Sequence, residues 1–339
     1  MRHALVVGLS GEALTPDEAT FLNRVRPAGI IVFSRNAVAR DQLARLIDDA
    51  VMAVGDRDLL VLVDQEGGRV RRLRPPVWRD LPAAASYGRL FERDPVAAQA
   101  AAMAIARLTA HDLRSIGINM NCAPCIDLLF DDADAIIGDR AYGRDVDVVV
   151  ALAAAVAEGY MAGGVVPVIK HIPGHGRAGV DSHLALPVVE ARDAELDRAD
   201  FAPFKALAGL PAAMTGHVVY SAIDPSRPAT TSPAVLENIV RDRIGFDGLL
   251  ISDDLSMKAL TGSLTERASA AFAAGCDLAL HCNGEMDEMR AVAEATPVLV
   301  GAARDRLEAC LAITRQNPGP PEQSIVVEAE KWLMQLGAA

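Results

Sequence analysis

Residues 165–170 read VVPVIK, a short apolar run without apolar/polar alternation that ends on a lysine. A run of this texture suits a strand buried on both faces, and therefore a parallel sheet. Seven other stretches have the same form: ALVVGL (4–9), GIIVF (29–33), LLVLVD (59–64), INMNCA (118–123), AAMTG (212–216), GLLIS (248–252) and DLALH (277–281). Helix signals fill the gaps between them. TPDE (15–18) is a capping box with Pro16 at the first helical position. SPAVLENIV (232–240) opens with Ser232 as a cap and Pro233 next. AAQAAAMAIARLTAHDLRSIG (97–117) is strongly helical and stops at Gly117. Eight strand-then-helix units in about 310 residues is the count of a TIM barrel. An open doubly wound sheet could also use eight strands, but no Gly-rich turn follows the first one, so the dinucleotide fingerprint is missing. The expected fold is a single (β/α)8 TIM barrel over residues 1–315. The NPGPPEQ linker and a terminal helix containing Trp332 (316–339) are expected to form an appendage packed on that barrel.

Composition narrows the function. The chain has 339 residues, about half of them apolar, so a large core is available. Its net charge of −12 speaks against nucleic acid or an anionic membrane as partner, since phosphate binding needs a basic face. The five cysteines (122, 125, 276, 282 and 310) form no paired framework, which fits reduced thiols in a cytoplasmic protein. NCAPC (121–125) holds one C-x-x-C with no second ligand pair for zinc. The apolar run in MRHALVVGLSG is too short for a signal peptide or a membrane span, and reads as a first buried strand.

Polar residues gather at the ends of the apolar runs: Asp64, Lys170 and His171, Thr215 and His217, Asp253 and Asp254, and His281. In TIM barrels chemistry sits at the C-terminal ends of the strands. Charged groups in that mouth are expensive unless paired or used, so their accumulation marks an active site. KHIPGHGRAGVDSH (170–183) is the densest case, with three of the seven histidines. His171 and His175 have the spacing of a helical zinc pair, but Pro173 and Gly174 forbid the helix that would align them. A Schiff-base role for Lys170 would require a neutral amine, and Asp64 and Asp253 at the same mouth would keep it charged. Acid/base work with a carboxylate partner remains. Asp253, immediately after a buried strand, is held to attack a sugar's anomeric carbon, while Asp254 should turn away and cap the next turn. Asp181 and His183 project to one side of an extended loop. The aspartate can hold one imidazole nitrogen and leave the other to donate a proton, which suits an unperturbed pKa of about 6.5.

Four motifs, VDQEGGRVRRL (63–73), GDRAYG (138–143), KHIPGHGRAGVDSHLALP (170–187) and ISDDLSM (251–257), together resemble the β-N-acetylglucosaminidases of the NagZ type in glycoside hydrolase family 3. The resemblance spans the barrel in order, and the third motif is long and specific. It implies a cytoplasmic enzyme of peptidoglycan recycling; no metal or other cofactor is expected. Such an enzyme removes non-reducing N-acetylglucosamine from 1,6-anhydro-muropeptides with retention. It further implies Asp253 as nucleophile, His183 as acid/base and Asp181 as its orienting partner, with Asp64, Arg72, Arg140, Lys170 and His171 binding the sugar. Ile172 and Tyr142 depart from the usual phenylalanines but keep their bulk. The expected partner is a small glycan bound by a monomer, with neither nucleic acid nor membrane. Gly174, Gly176 and Gly179 are expected to make a flexible span carrying the Asp181–His183 pair, with His175 serving the loop's own structure. GGR (67–69) reads as a tight turn. Two other classes stay open: a phosphorylase sharing the glycosyl-enzyme, and a non-catalytic sugar sensor, whose expected sign would be loss of Asp253 or His183.

Overall fold

The computed structural model describes residues 2–131, 135–180, 182, 185–316 and 318–337. Eight parallel strands close on themselves: β1 (His3–Gly8), β2 (Pro27–Val32), β3 (Leu60–Val63), β4 (Met120–Asn121), β5 (Val166–Ile172), β6 (Ala212–Thr215), β7 (Leu249–Asp254) and β8 (Leu278–His281). Each pairs with its sequence neighbours, and β8 returns to β1 in the register Leu5↔Ala279. This is the (β/α)8 barrel read from the sequence.

Side chains explain why the strands read as unbroken apolar runs. Along β1, Leu5 and Val7 join the core between sheet and helices, while Val6 joins the core inside the barrel. The inner core stacks Val6, Ile31, Leu62, Met120, Val168, Met214, Ile251 and Leu280. The outer core takes Ile30, Val61, Ile169 and Leu250 against Leu22, Leu43 and Ile47 of the first two helices. Both faces are buried, so neither can be polar.

The helix starts lie close to their sequence signals. Thr15 caps Pro16–Val25 with a full capping box, and the Ser232 hydroxyl accepts from the backbone of Val235 at 3.2 Å. The long helix starts two residues earlier than its apolar stretch suggests, at Pro95 under an Asp94 cap, and ends at Arg114. Helix Gly301–Thr314 sends Leu307, Cys310 and Leu311 into the inner core; the Cys310 thiol lies 3.5 Å from the carbonyl of Pro211, just before β6, so this helix closes the N-terminal end of the barrel. The terminal helix Gln323–Gly337 buries Ala329 and Leu336 against the helix Pro95–Arg114, and Glu330 pairs with Arg79 at 3.2 Å. Among the described residues, no helix is long and apolar enough to cross a membrane.

Candidate active site

The open, C-terminal end of the barrel holds a cavity of about 250 Å³ whose walls include Asp64, Arg72, Arg140, Lys170, His171, Asp253 and Asp254. Six sequence-singled residues thus converge from five segments, with Asp254 beside them. Asp181 and His183 lie outside the described residues.

Local structure accounts for each placement. The chain leaves β3 at Asp64 and folds into a small antiparallel ribbon, Gln65–Gly67 with Val70–Arg71. The buried Gln65 side chain accepts from the backbone of Arg72 and Leu73, both at 3.0 Å, and so locks the ribbon shut. The turn at GGR is tight because the φ of Gly67 and Gly68 is positive (109° and 54°), as its sequence suggested. Asn121 of β4 braces the exit from β3, accepting from the Gln65 N–H at 2.9 Å and donating to its carbonyl at 3.0 Å. A single turn, Gly138–Arg140, brings Arg140 in from the fourth loop.

These groups form one alternating chain of charge. Arg72 meets Asp64 at 2.9 Å, Asp64 meets Lys170 at 2.8 Å, Lys170 meets Glu66 at 2.7 Å, and Glu66 holds Arg140 through two bonds of 2.8 and 2.9 Å. Burial alone would push both carboxyls up. The facing cations outweigh it, holding Asp64 well below the ordinary carboxylate range and Glu66 at about 2. By the same pairing, and against burial, Lys170 is held well above the usual lysine value. It stays an ammonium, so it can donate but not form an imine. Glu66 was not singled out from the sequence. Its signal was there: strand alternation places it two residues after Asp64, on the same side.

Asp127 is the second residue that sequence reading passed over. It is buried, and its carboxylate accepts from the His171 ring Nδ1 at 2.7 Å, the His171 backbone at 3.2 Å and the His175 backbone at 2.7 Å. Burial opposes its ionisation, but the two histidines hold its carboxyl well below the ordinary range. A lone aspartate inside the apolar run CAPCIDLL was the available clue. The His175 ring is buried and its Nε2 lies 3.3 Å from the Ser182 hydroxyl, an interaction within the loop itself. Two of the loop's glycines differ from expectation. Gly174 and Gly176 are buried, and a Cβ on Gly176 would sit 2.2 Å from the Leu128 carbonyl oxygen. Close packing, not freedom of movement, requires glycine there. Only Gly179 has open space around it.

On β7, the Asp253 backbone N–H donates to the Thr215 hydroxyl at 3.2 Å, and the Asp254 N–H donates to the Asp253 carboxylate at 2.8 Å. Asp254 caps the following turn as expected, accepting from the Ser256 backbone at 3.0 Å and its hydroxyl at 2.6 Å. It does not turn away from the mouth altogether, because its carboxylate also accepts from Cys282 of the last loop at 3.2 Å.

The glycosyl hydrolase family 3 N-terminal domain model matches residues 7–306. The chain belongs to glycosyl hydrolase family 3. It is 42% identical over 283 residues to a β-hexosaminidase of Alkalilimnicola ehrlichii, covering 82% of this chain and 80% of that one. A β-hexosaminidase of Aromatoleum aromaticum is 37% identical over 309 residues, 90% of this chain and 86% of that one. Among solved structures, NagZ from Neisseria gonorrhoeae in complex with N-trifluoroacetyl-D-glucosamine superposes with a TM-score of 0.86 at 32% identity, covering 99% of this chain and 98% of that one. The resemblance carried by the four sequence motifs is thereby borne out.

Among the described residues of this family 3 barrel, one trio has the atoms to suit a cation. Cys125, Asp127 and His171 bring a sulfur, an oxygen and a nitrogen within 4.8 Å of one another. Their hydrogens already bridge them, the thiol donating to Asp127 at 3.4 Å and the imidazole at 2.7 Å. Burial also pushes the Cys125 thiol far up, away from the thiolate a metal would need. The trio serves as a hydrogen-bonded brace beneath His171.

Proposed function

We propose that this β-N-acetylhexosaminidase of family 3 is a retaining exo-enzyme that releases non-reducing terminal N-acetylglucosamine from peptidoglycan fragments. The substrate class is N-acetylglucosaminyl-1,6-anhydro-N-acetylmuramic acid, with or without peptide, and the setting is cell-wall recycling in the cytoplasm. Residues 1–315 act as the catalytic unit and 316–339 as its appendage. One observation carries this reading. Asp253 faces the same cavity as Asp64, Arg72, Arg140, Lys170 and His171, so a carboxylate stands among groups suited to sugar hydroxyls. The Neisseria relative's complex with an N-acylated glucosamine supports it.

In the first step an Asp253 carboxylate oxygen bonds to the anomeric carbon as the bond to the leaving oxygen breaks. His183, oriented by Asp181, gives its proton to that oxygen; these two roles come from the motif resemblance. In the second step His183 takes a proton from water, the water oxygen bonds to the anomeric carbon and Asp253 leaves. Two inversions give net retention. The ion chain supplies donors and acceptors already aimed at the hydroxyls, with little rearrangement on binding.

The test is a proton NMR time course on a muropeptide and on a nitrophenyl N-acetylglucosaminide. The β-anomer of the free sugar should appear first. The α-anomer appearing first would overturn the double displacement. A sugar 1-phosphate formed in phosphate buffer would replace hydrolysis by phosphorolysis.

A further inference from the structure

Behind the Asp253 peptide lie three side chains that the two displacement steps leave unused: Thr215, His217 and Thr230, all fully buried. They are joined in series. The Asp253 N–H reaches Thr215 Oγ1 at 3.2 Å, and Thr215 Oγ1 lies 2.7 Å from Thr230 Oγ1. Thr230 Oγ1 lies 2.8 Å from His217 Nδ1, and His217 Nε2 lies 3.0 Å from the Asp254 carbonyl oxygen.

Counting donors gives this series one direction. A carbonyl oxygen can only accept, so His217 Nε2 carries a hydrogen. The ring bonds a hydroxyl and a carbonyl oxygen, and burial lowers its pKa below the ordinary histidine value, which leaves this imidazole neutral. Its Nδ1 must then accept, and the neighbour able to donate is Thr230. That uses the one hydroxyl hydrogen of Thr230, in preference to the longer 3.2 Å approach to the Gly216 carbonyl. Thr230 Oγ1 therefore accepts from Thr215, and Thr215 accepts from the Asp253 amide. The chain runs from the N–H of Asp253 through Thr215, Thr230 and His217 to the carbonyl of Asp254. It grips both ends of a two-residue segment whose middle N–H holds the Asp253 carboxylate at 2.8 Å. Bonds aligned head to tail in a dry interior polarise and strengthen one another.

We propose that Thr230 and His217 are positioning residues for the nucleophile, clamping residues 253–254 so that the Asp253 carboxylate keeps its aim during attack. This rests on the reading of Asp253 as nucleophile. The first measurement needs no variant: nitrogen NMR of the histidines in the intact protein should show His217 neutral with its hydrogen on Nε2. Finding the hydrogen on Nδ1, or a charged ring at neutral pH, would overturn the proposal. The second is kinetic. Thr230→Val keeps the shape and removes the hydroxyl. It should lower kcat by about 10- to 100-fold on a nitrophenyl N-acetylglucosaminide, as loss of aim does, with KM within about twofold. Its His217 Nδ1 resonance should move as the donor is lost. Thr230→Ser, which restores the hydroxyl, should recover most of the rate. Wild-type kcat in Thr230→Val, or a rise in KM alone, would remove the positioning role. Asp253→Asn run in parallel separates the two readings. Turnover surviving in that variant would fail the nucleophile assignment. A dead Asp253→Asn beside an unimpaired Thr230→Val would fail the clamp alone.

Discussion

The Asp127 carboxylate and the His171 ring meet at 2.7 Å beneath the cavity at the barrel mouth, and the same carboxylate takes the His175 backbone N–H at 2.7 Å. One buried group thus fixes a cavity wall and the root of the loop that follows it. Asp127→Asn keeps the size but cannot accept from every donor. A buried donor left unpaired costs about 1–3 kcal/mol. We expect a lower melting temperature and a kcat/KM loss of about 100-fold, with both kcat and KM affected; an unchanged KM would place the His171 ring outside sugar binding.

Glu66 joins Lys170 to Arg140. Glu66→Gln leaves these two cations facing each other with less negative charge between them. Removing one partner of a buried ion pair typically costs about 3–5 kcal/mol, and the retained amide should keep the loss near the lower end. We expect KM for the glycan to rise about tenfold or more, with a smaller effect on kcat. Denaturant unfolding and steady-state kinetics check the two parts separately.

His175 gives the protein a pH-dependent stability. Burial first, then the neighbouring His171, lowers its pKa to about 4, while an unfolded histidine stays near 6.5. A histidine lowered on folding contributes fully above the unfolded value and loses that contribution as the pH falls toward the folded one. Roughly 2.5 units at about 1.4 kcal/mol each gives about 3 kcal/mol lost between pH 6.5 and 4. Urea midpoints of wild type and His175→Gln should therefore converge as the pH is lowered through this window, and parallel curves would reassign the titration.

The glycines of the same loop make opposite expectations. Gly176→Ala places a methyl 2.2 Å from the Leu128 carbonyl oxygen, whereas Gly179→Ala meets nothing within 4 Å. Overpacking of this kind costs about 1–3 kcal/mol. Gly176→Ala should lose activity and stability together, and Gly179→Ala should change the melting temperature little. Equal effects at the two positions would restore the idea of a glycine hinge.

The barrel was legible because each parallel strand is buried on two faces and so writes itself as an apolar run. β4 was the weakest reading: six residues were expected and only Met120–Asn121 pair as strand. The asparagine side chains there complete the ladder in place of backbone, with Val61 N–H donating to Asn119 at 2.8 Å and Gln65 N–H to Asn121 at 2.9 Å. Asp64, Lys170 and Asp253 were legible as charges at strand ends, whereas Arg72 and Arg140 came only from the motif resemblance. Glu66 and Asp127 were harder, because their value lies in partners 74 and 44 positions away that only the folded chain brings near. The loop glycines misled for a related reason: sequence cannot distinguish a glycine needed for motion from one needed for contact.

The alternating charges at the mouth also bear on how the barrel is assembled. Lys170 lies 106 positions beyond Asp64, and Arg140 lies 74 beyond Glu66. A nascent chain that has completed β1 to β3 holds both carboxylates but neither of those cations. Closing a partial barrel around them would leave Asp64 with Arg72 alone and bury Glu66 without either of its cations, which is unfavourable. The arrangement proposed to orient a sugar therefore also discourages premature half-barrels, and the emergence of β5 from the ribosome completes the charge balance on which closure depends.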